Sequence, residues 1–316
     1  MEEKKKYISV FGFVYVILVN FNNLFYHILS EVKGNVIAIV RILLMILVLG
    51  LIATISKKWK KIEKGEWLNM IIGGALSFGV FTYCLALGFQ STSLTQGTII
   101  INLAPIFGMI FAVLFKIEKW NWSAFAGAMV AVVGVVISTV TASQHGSGNF
   151  EGDLLVLISA VAISLGTVFT NKIGHRHHPI ALTAILGFFG LMSILPFTYF
   201  SIVDTSWGEI SSNGYLMLVY IGVLGGAVAF ASYIKCIEEV GASASMVYLF
   251  LSIPLSMLIS EFILHKSVPG MHILGAVIVI VGATWSIVAR AKAQKQSEDL
   301  KSEEVNKKII PHINHV

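Results

Sequence analysis

Ten apolar runs, each about twenty residues long and parted by short polar loops, limit what this chain can fold into. They cover 8–29, 35–56, 67–89, 94–115, 122–142, 153–172, 179–201, 214–236, 243–265 and 269–290. A bilayer core about 30 Å thick takes roughly 20 helical residues to cross. In lipid only helices and closed barrels satisfy their own backbone, and barrel strands would alternate apolar with polar residues. These runs do not alternate, so the expectation is an all-α membrane protein of ten transmembrane helices. Only 12% of the residues are charged, about half the share of a soluble domain, which fits an outer surface covered by lipid.

The charges give the orientation. With the N-terminus inside, nineteen of the 22 Lys and Arg fall on the inner side, among them Lys57, Lys58, Lys60, Lys61, Lys64 and Arg176. The outer loops hold Lys33 and Lys266 together with Glu31, Glu151, Asp153, Asp204 and Glu209, and Arg41 lies within the second run. Cytoplasmic loops carry the Lys/Arg excess, so both termini are expected in the cytoplasm of a cell with this protein in its inner (plasma) membrane. The same one-sided distribution explains the basic balance without nucleic acid. Cys84 and Cys236 lie in or at the ends of apolar runs, with no disulfide framework and no zinc spacing.

The chain also repeats itself. Gly73 matches Gly222 and Pro105 matches Pro254 at one shift, and Gly127–Gly134 aligns with Gly275–Gly282 after one residue of slip. This divides the sequence into a five-helix half at 1–142, an external linker at 143–152, a second half at 153–290 and a polar cytoplasmic tail at 291–316. An odd number of spans per half forces the halves into opposite topology. Such inverted repeats mark many secondary transporters, whose substrate site lies between the halves near the midplane.

In these landmarks the chain resembles the drug/metabolite transporter superfamily, specifically its ten-helix EamA-type members, from about Tyr7 to Arg290. The resemblance rests on Arg41 in the second run, Leu87–Ser93 at the end of the third and Asn102-Leu103-Ala104-Pro105 in the fourth. Glu118 and Gly127–Gly134 follow; in the second half come Val240–Ser245, Ile253-Pro254 and Gly275–Gly282. Ser267 stands where a second Glu would match Glu118, so no role is given to that Glu. The resemblance implies a secondary transporter exporting amino acids, related metabolites or drugs by alternating access. A nucleotide-sugar or lipid-linked substrate carrier is the alternative within the superfamily.

Polar groups inside the runs are the candidate site, because each is costly in lipid. Asn20, Asn23 and His27 share one face of the first span, with Asn22 slightly off it; Ser164, Thr167 and Asn171 share one face of the sixth. Thr98 and Asn102 lie in the fourth, Ser252 and Ser256 in the ninth, and Tyr83 and Tyr233 at near-equivalent places in the third and eighth. Each reads either as cavity lining or as interhelical glue and packing. Pro105 and Pro254 read as hinges or as harmless kinks, since each removes one helical hydrogen bond. Arg41 either meets an anionic group, snorkels outward or pairs with an acid. Glu261, read as the one acid well inside a run, is the candidate for proton coupling or for an ion pair with Arg41 or Lys266. His175-Arg176-His177-His178 has no acid or Cys beside it in sequence and is read as a loop, with no metal.

No His-Glu-x-x-His, nucleophile elbow or Walker A motif is present, so neither an enzyme nor direct use of ATP is expected. A sensor or scaffold would bring a soluble domain, and the longest loop is about ten residues. The expected partners are a small-molecule substrate, membrane lipids and protons, with no cofactor and no nucleic acid, for a monomer or homodimer.

Overall fold

The computed structural model describes residues 9–116, 120–144, 149–174, 176–240 and 242–309, and among them every regular element is helical. The helices are α1 (Val10–Ile28), α2 (Gly34–Ile55), α3 (Trp67–Ser91), α4 (Leu94–Leu114), α5 (Trp122–Gln144), α6 (Phe150–Gly174) and α7 (Pro179–Val203). They continue with α8 (Ser212–Cys236, extending to Val240), α9 (Ala242–Phe262) and α10 (Gly270–Ile309). Among the described residues nine helices are long and apolar enough to cross a membrane, and α9 carries a shorter apolar stretch, Tyr248–Phe262. The chain is a multi-pass membrane protein. The polar tail continues α10 as helix to Ile309. Glu118, His175 and the middle of the 143–152 linker lie outside the described residues.

The loops at Lys57–Lys64 and at Arg176 lie at one end of the bundle, here the basic end; those at Glu31, Asp204 and Glu209 lie at the other, the acidic end. At the basic end Arg176 forks onto Glu63, with Nη1 to Oε2 at 2.7 Å and Nη2 to Oε1, and its Nε lies 3.4 Å from Glu66. His177 Nε2 sits 3.2 Å from the other Glu66 oxygen. These pairs tie the α2–α3 loop to the α6–α7 loop, and they give His177 an ion-pairing neighbour; no cluster of metal-ligating groups occurs among the described residues.

Small residues decide which helices touch. A Cβ on Gly127 would stand 2.6 Å from the Ser286 nitrogen, and one on Gly134 would stand 2.7 Å from the Gly275 oxygen. The two glycine segments that match in sequence therefore pack on each other, and α5 runs antiparallel to α10. In the same way Gly74 and Gly79 of α3 meet Leu186 and Gly190 of α7, and Gly222 and Gly225 of α8 meet Leu44 of α2 and Asn22 of α1. Without a hydrophobic drive between helices in lipid, such close backbone approach is what gains packing energy.

Two local irregularities fall at matched places. α3 is π-helical over Ala75–Val80 and α8 over Tyr220–Val228, a feature the apolar pattern did not foreshadow. α4 breaks at Asn102-Leu103: Pro105 has no N–H for the Ile101 carbonyl, Leu103 N turns to Ile100 O at 3.0 Å, and Asn102 Nδ2 takes the Thr98 carbonyl at 2.7 Å. Pro254 does not have this effect. It lies inside an unbroken α9, exposed on the outer face beside Leu251 and Leu258.

Candidate substrate site

The interior passage is recognised from which faces are open. On α6 the exposed residues Glu151, Leu154 and Ile158 mark a lipid stripe. At 100° per residue, Val156, Ala160, Thr167 and Asn171 point roughly the opposite way, into the bundle. Toward the acidic end this inner face is sealed, with Val156 and Ala160 fully buried; toward the basic end Thr167 and Asn171 are exposed. α4 behaves alike. Its first segment, Leu94–Ile101, packs on α9, whereas Ala104–Leu114 scarcely touches α9 and finds its neighbour in α6. A Cβ on Gly108 would meet nothing within 4 Å. The helices thus separate toward the basic end and leave a vestibule.

The acidic end is closed by polar cross-links. Thr95 Oγ1 and Ser260 Oγ lie 2.9 Å apart, and Asn102 Nδ2 donates to Ser252 Oγ at 3.0 Å. Both pairs join α4 to α9. His27 Nδ1 donates to the Phe89 carbonyl at 3.0 Å, and Gln90 Nε2 donates to the carbonyls of Leu29 and Val32 at 2.8 Å, joining α1 and the loop after it to α3. Lys266 Nζ reaches His27 Nε2 at 3.5 Å. Glu261 is exposed and accepts from Val268 N at 3.3 Å. Among the described residues it makes no ion pair with Arg41 or Lys266.

Arg41 lies between these two regions. Leu43, Leu47 and Leu51 mark the lipid face of α2; Arg41 is turned about 120° from the middle of that face and its Nε and Nη1 are buried, so it does not snorkel into the headgroups. Its guanidinium carbon stands 5.9 Å from the ring centres of both Tyr26 and Phe81. Nε and Nη1 are buried with no hydrogen-bond partner, and no carboxylate pairs with them among the described residues. Tyr26, fully buried, has Arg41 and Asn22 beside its hydroxyl without completing a hydrogen bond. Asn22 Oδ1 is likewise unpartnered. Tyr15 and Tyr233 stack at 4.7 Å between ring centres on the basic-end side. Arg41, Phe81, Tyr83, Tyr15 and Tyr233 are each only partly buried.

A charge at this depth costs about 2.5–3.5 kcal/mol on insertion scales. Each aromatic face returns about 0.5–2 kcal/mol as a cation–π contact. The N–H groups on Nε and Nη1 are left without an acceptor. A carboxylate or other planar anion supplies one, because the guanidinium fork matches two such oxygens at once.

The other residues marked in the sequence divide into groups. Asn20 is buried, with Nδ2 on the Val16 carbonyl at 2.8 Å and Oδ1 unpartnered; Asn23 is buried beside it. Thr98 and Ser256 bond to carbonyls of their own helices, as does Thr167 at the vestibule. Tyr83 leans on the main apolar core. Asn22, Tyr26, Tyr15 and Phe81 gather at Arg41, and of these the polar pattern of the sequence singles out Asn22 alone. The signal was there: Tyr15, Asn22 and Tyr26 are spaced i, i+7, i+11, one helical face. A lateral cleft of about 580 Å³ between α2, α3 and α7, lined by residues such as Leu47, Trp59, Trp67 and Phe188, is apolar and lies away from these groups.

Comparison with known proteins agrees with this architecture. A solved crystal structure superposes with a TM-score of 0.64 over 90% of this chain and 97% of its own, at 14% identity, a likeness of fold. An "Uncharacterized transporter" of Archaeoglobus fulgidus is 28% identical over 71% of this chain and 77% of its own. A "Probable biotin transporter" of Pseudomonas aeruginosa is 26% identical over 80% and 88%, and a "Probable terminal-alkyne amino-acid exporter" of Streptantibioticus cattleyicolor is 22% identical over 65% and 68%. The model of the EamA-like transporter family matches twice, at residues 7–140 and 150–288. Both matches together take in nearly all of the chain, which therefore belongs to the EamA-like transporter family.

Proposed function

We propose that this protein is a secondary transporter that exports a small carboxylate-bearing metabolite of amino-acid type, by alternating access between two inverted five-helix halves. Arg41 carries the reading: an interior guanidinium with no protein anion among the described residues, walled by aromatic rings, at the head of a passage that opens toward the basic end. The antiparallel packing of Gly127–Gly134 on Gly275–Gly282 and the paired π segments support the inverted halves, at 1–142 and 153–290. The one-sided Lys and Arg support a cytoplasmic basic end in a plasma membrane, with substrate entering from the cytoplasm. Similarity to a protein named as an amino-acid exporter and to one named as a biotin transporter, whose cargoes both bear a carboxylate, is in keeping with this substrate class. A nucleotide-sugar or lipid-linked substrate carries several phosphate charges, and one arginine answers them poorly.

The test is exchange in proteoliposomes loaded with amino acids, with their decarboxylated amines and with other small carboxylates. A charge-assisted contact contributes about 1.5–3 kcal/mol, so Arg41→Gln is expected to weaken carboxylate exchange roughly 10- to 100-fold and to leave the protein folded. Wild-type exchange in Arg41→Gln, or amines competing as well as their parent acids, refutes the proposal.

A further inference from the structure

A second polar system, separate from Arg41, runs across the acidic end. Asp153, in the first turn of α6, is 6% exposed. Thr92 Oγ1 donates to its Oδ1 at 2.5 Å, and the Gln96 amide lies beside the carboxyl. Asp153 Oδ2 is buried with no partner. From Gln96 the network continues: Nε2 donates to Thr139 Oγ1 at 2.5 Å, Oε1 accepts from Ser138 Oγ at 2.8 Å, and Ser138 Oγ lies 3.0 Å from His272 Nδ1. His272 is 3% exposed. The hydroxyl of Ser138 has one hydrogen and gives it to Gln96, so the imidazole donates to Ser138. Every hydrogen bond from His272 to Gln96 then points toward Asp153.

Such a network could be static glue, and a first-turn aspartate also suits the positive end of a helix. Two observations go further. A buried carboxylate is normally matched by a cation or by donors on both oxygens, and Asp153 has donors on one side only. Among the described residues, what meets it from the end of α3 and from α4 is Thr92 and Gln96; the α5 groups in the network are Ser138 and Thr139, and the α10 group is His272. None of these is a fixed cation. Glu151, on the same helix, is exposed. His27 of α1 approaches Thr92 from the far side through backbone contacts, with Lys266 behind it. The network is also built into the gate. Gln96 is next to Thr95, whose hydroxyl meets Ser260, and both stand on the short segment Leu94–Ile101 that the break at Asn102-Leu103 separates from the rest of α4.

We propose that Asp153, with His272 at the far end of its network, is a proton-binding site of the acidic-end gate, so that gate opening follows the pH of the compartment it faces. A proton taken from that water bonds to Oδ2 and leaves the carboxyl neutral; no other bond is broken and nothing is oxidised. Loss of the charge weakens the donations from Thr92 and Gln96 and loosens the α4 segment that holds Thr95 against Ser260. The ligand is the proton itself. The inference goes beyond the carboxylate-transport reading, and its primary test needs no substrate.

Acid-minus-alkaline infrared difference spectra, recorded on the full chain in sodium-free vesicles, read carboxyl protonation directly. A protonated-carboxyl stretch is expected in wild type, lost in Asp153→Asn and retained in His27→Gln and Glu261→Gln. Thr92→Val, which keeps the carboxyl, is expected to move the midpoint of that titration. Labelling of Tyr83→Cys by an impermeant thiol reagent from the acidic-end side reads the gate. Its rate is expected to change about threefold or more between about pH 5 and pH 8, and to become flat when Asp153→Asn is added. A band that survives Asp153→Asn, a pH profile abolished by His27→Gln alone, or a response that appears only when sodium is added overturns the proposal. Failure of Arg41-dependent exchange with the Asp153 band intact removes the transport reading and leaves this one standing.

Discussion

Breaking the α4–α9 cross-links should open the acidic end. Thr95→Val removes the 2.9 Å contact with Ser260 and keeps the shape of the side chain. The stranded Ser260 hydroxyl can turn to a carbonyl of its own helix, as Ser252 and Ser256 do with Leu249 and Ile253, so the measured loss is that of the pair and not of an orphaned group. Interhelical polar pairs in membranes average about 0.6 kcal/mol and reach about 1.7. If the contact exists only while the end is closed, its loss multiplies the open-to-closed ratio by roughly 3 to 18. Ser252→Ala removes the second pair and leaves Asn102 Nδ2 on the Thr98 carbonyl. The two pairs stand seven residues apart, about 10 Å along α4, so their effects should add. The double variant should shift the ratio by roughly 8- to 300-fold. Tyr83→Cys, in a Cys84→Ser, Cys236→Ser background, reports that ratio through its labelling rate from the acidic side. The reasoning is refuted if the labelling rates stay at the parent value while thermal stability falls by the same 0.6–1.7 kcal/mol per pair, since the pairs would then be present in every conformation.

Two further outcomes follow from packing and charge. Gly134→Leu drives a side chain into the Gly275 carbonyl and the Val279 nitrogen; overpacking of this kind costs about 1–3 kcal/mol, to be seen as lower thermal stability, while Gly108→Ala, at an open position, should be neutral. At the basic end the Arg176 hydrogen bond holds the Glu63 carboxyl below the usual carboxylate range, and the Glu63 backbone N–H, followed by His177 and Arg176, does the same for Glu66. A depressed folded-state pKa means stability that is present above the ordinary carboxylate pKa and lost as pH falls through the folded value. Wild type should therefore melt higher than Glu66→Gln near neutrality and converge with it in acid; an advantage that persists undiminished in acid contradicts the assignment.

Length and hydropathy alone placed the ten helices, because lipid leaves an unpaired backbone no alternative to the helix. The matched glycine segments marked the repeat, but only the structure shows that they pack on each other, and of the two fates open for Pro105 the structure shows a break in α4. Contacts between helices are not written in any one run, and there the sequence was silent or ambiguous. Pro105 and Pro254 match in sequence, yet one ends a segment and the other rides on the outer face of a continuous helix. Asp153 reads as a loop acid by position and becomes a buried one only because Gly152 lets α6 close on Ser91 and Thr92. Glu261 reads as buried by position, and its helix turns it outward. For Arg41 the sequence leaves three fates open; the tertiary structure decides among them by setting Tyr26, Phe81 and Asn22 around the guanidinium and, among the described residues, no acid. Local pattern determines which segments enter the membrane, because that depends on each segment's own transfer energy. Which polar groups face one another there depends on helix rotation and pairing, which only the packed bundle fixes.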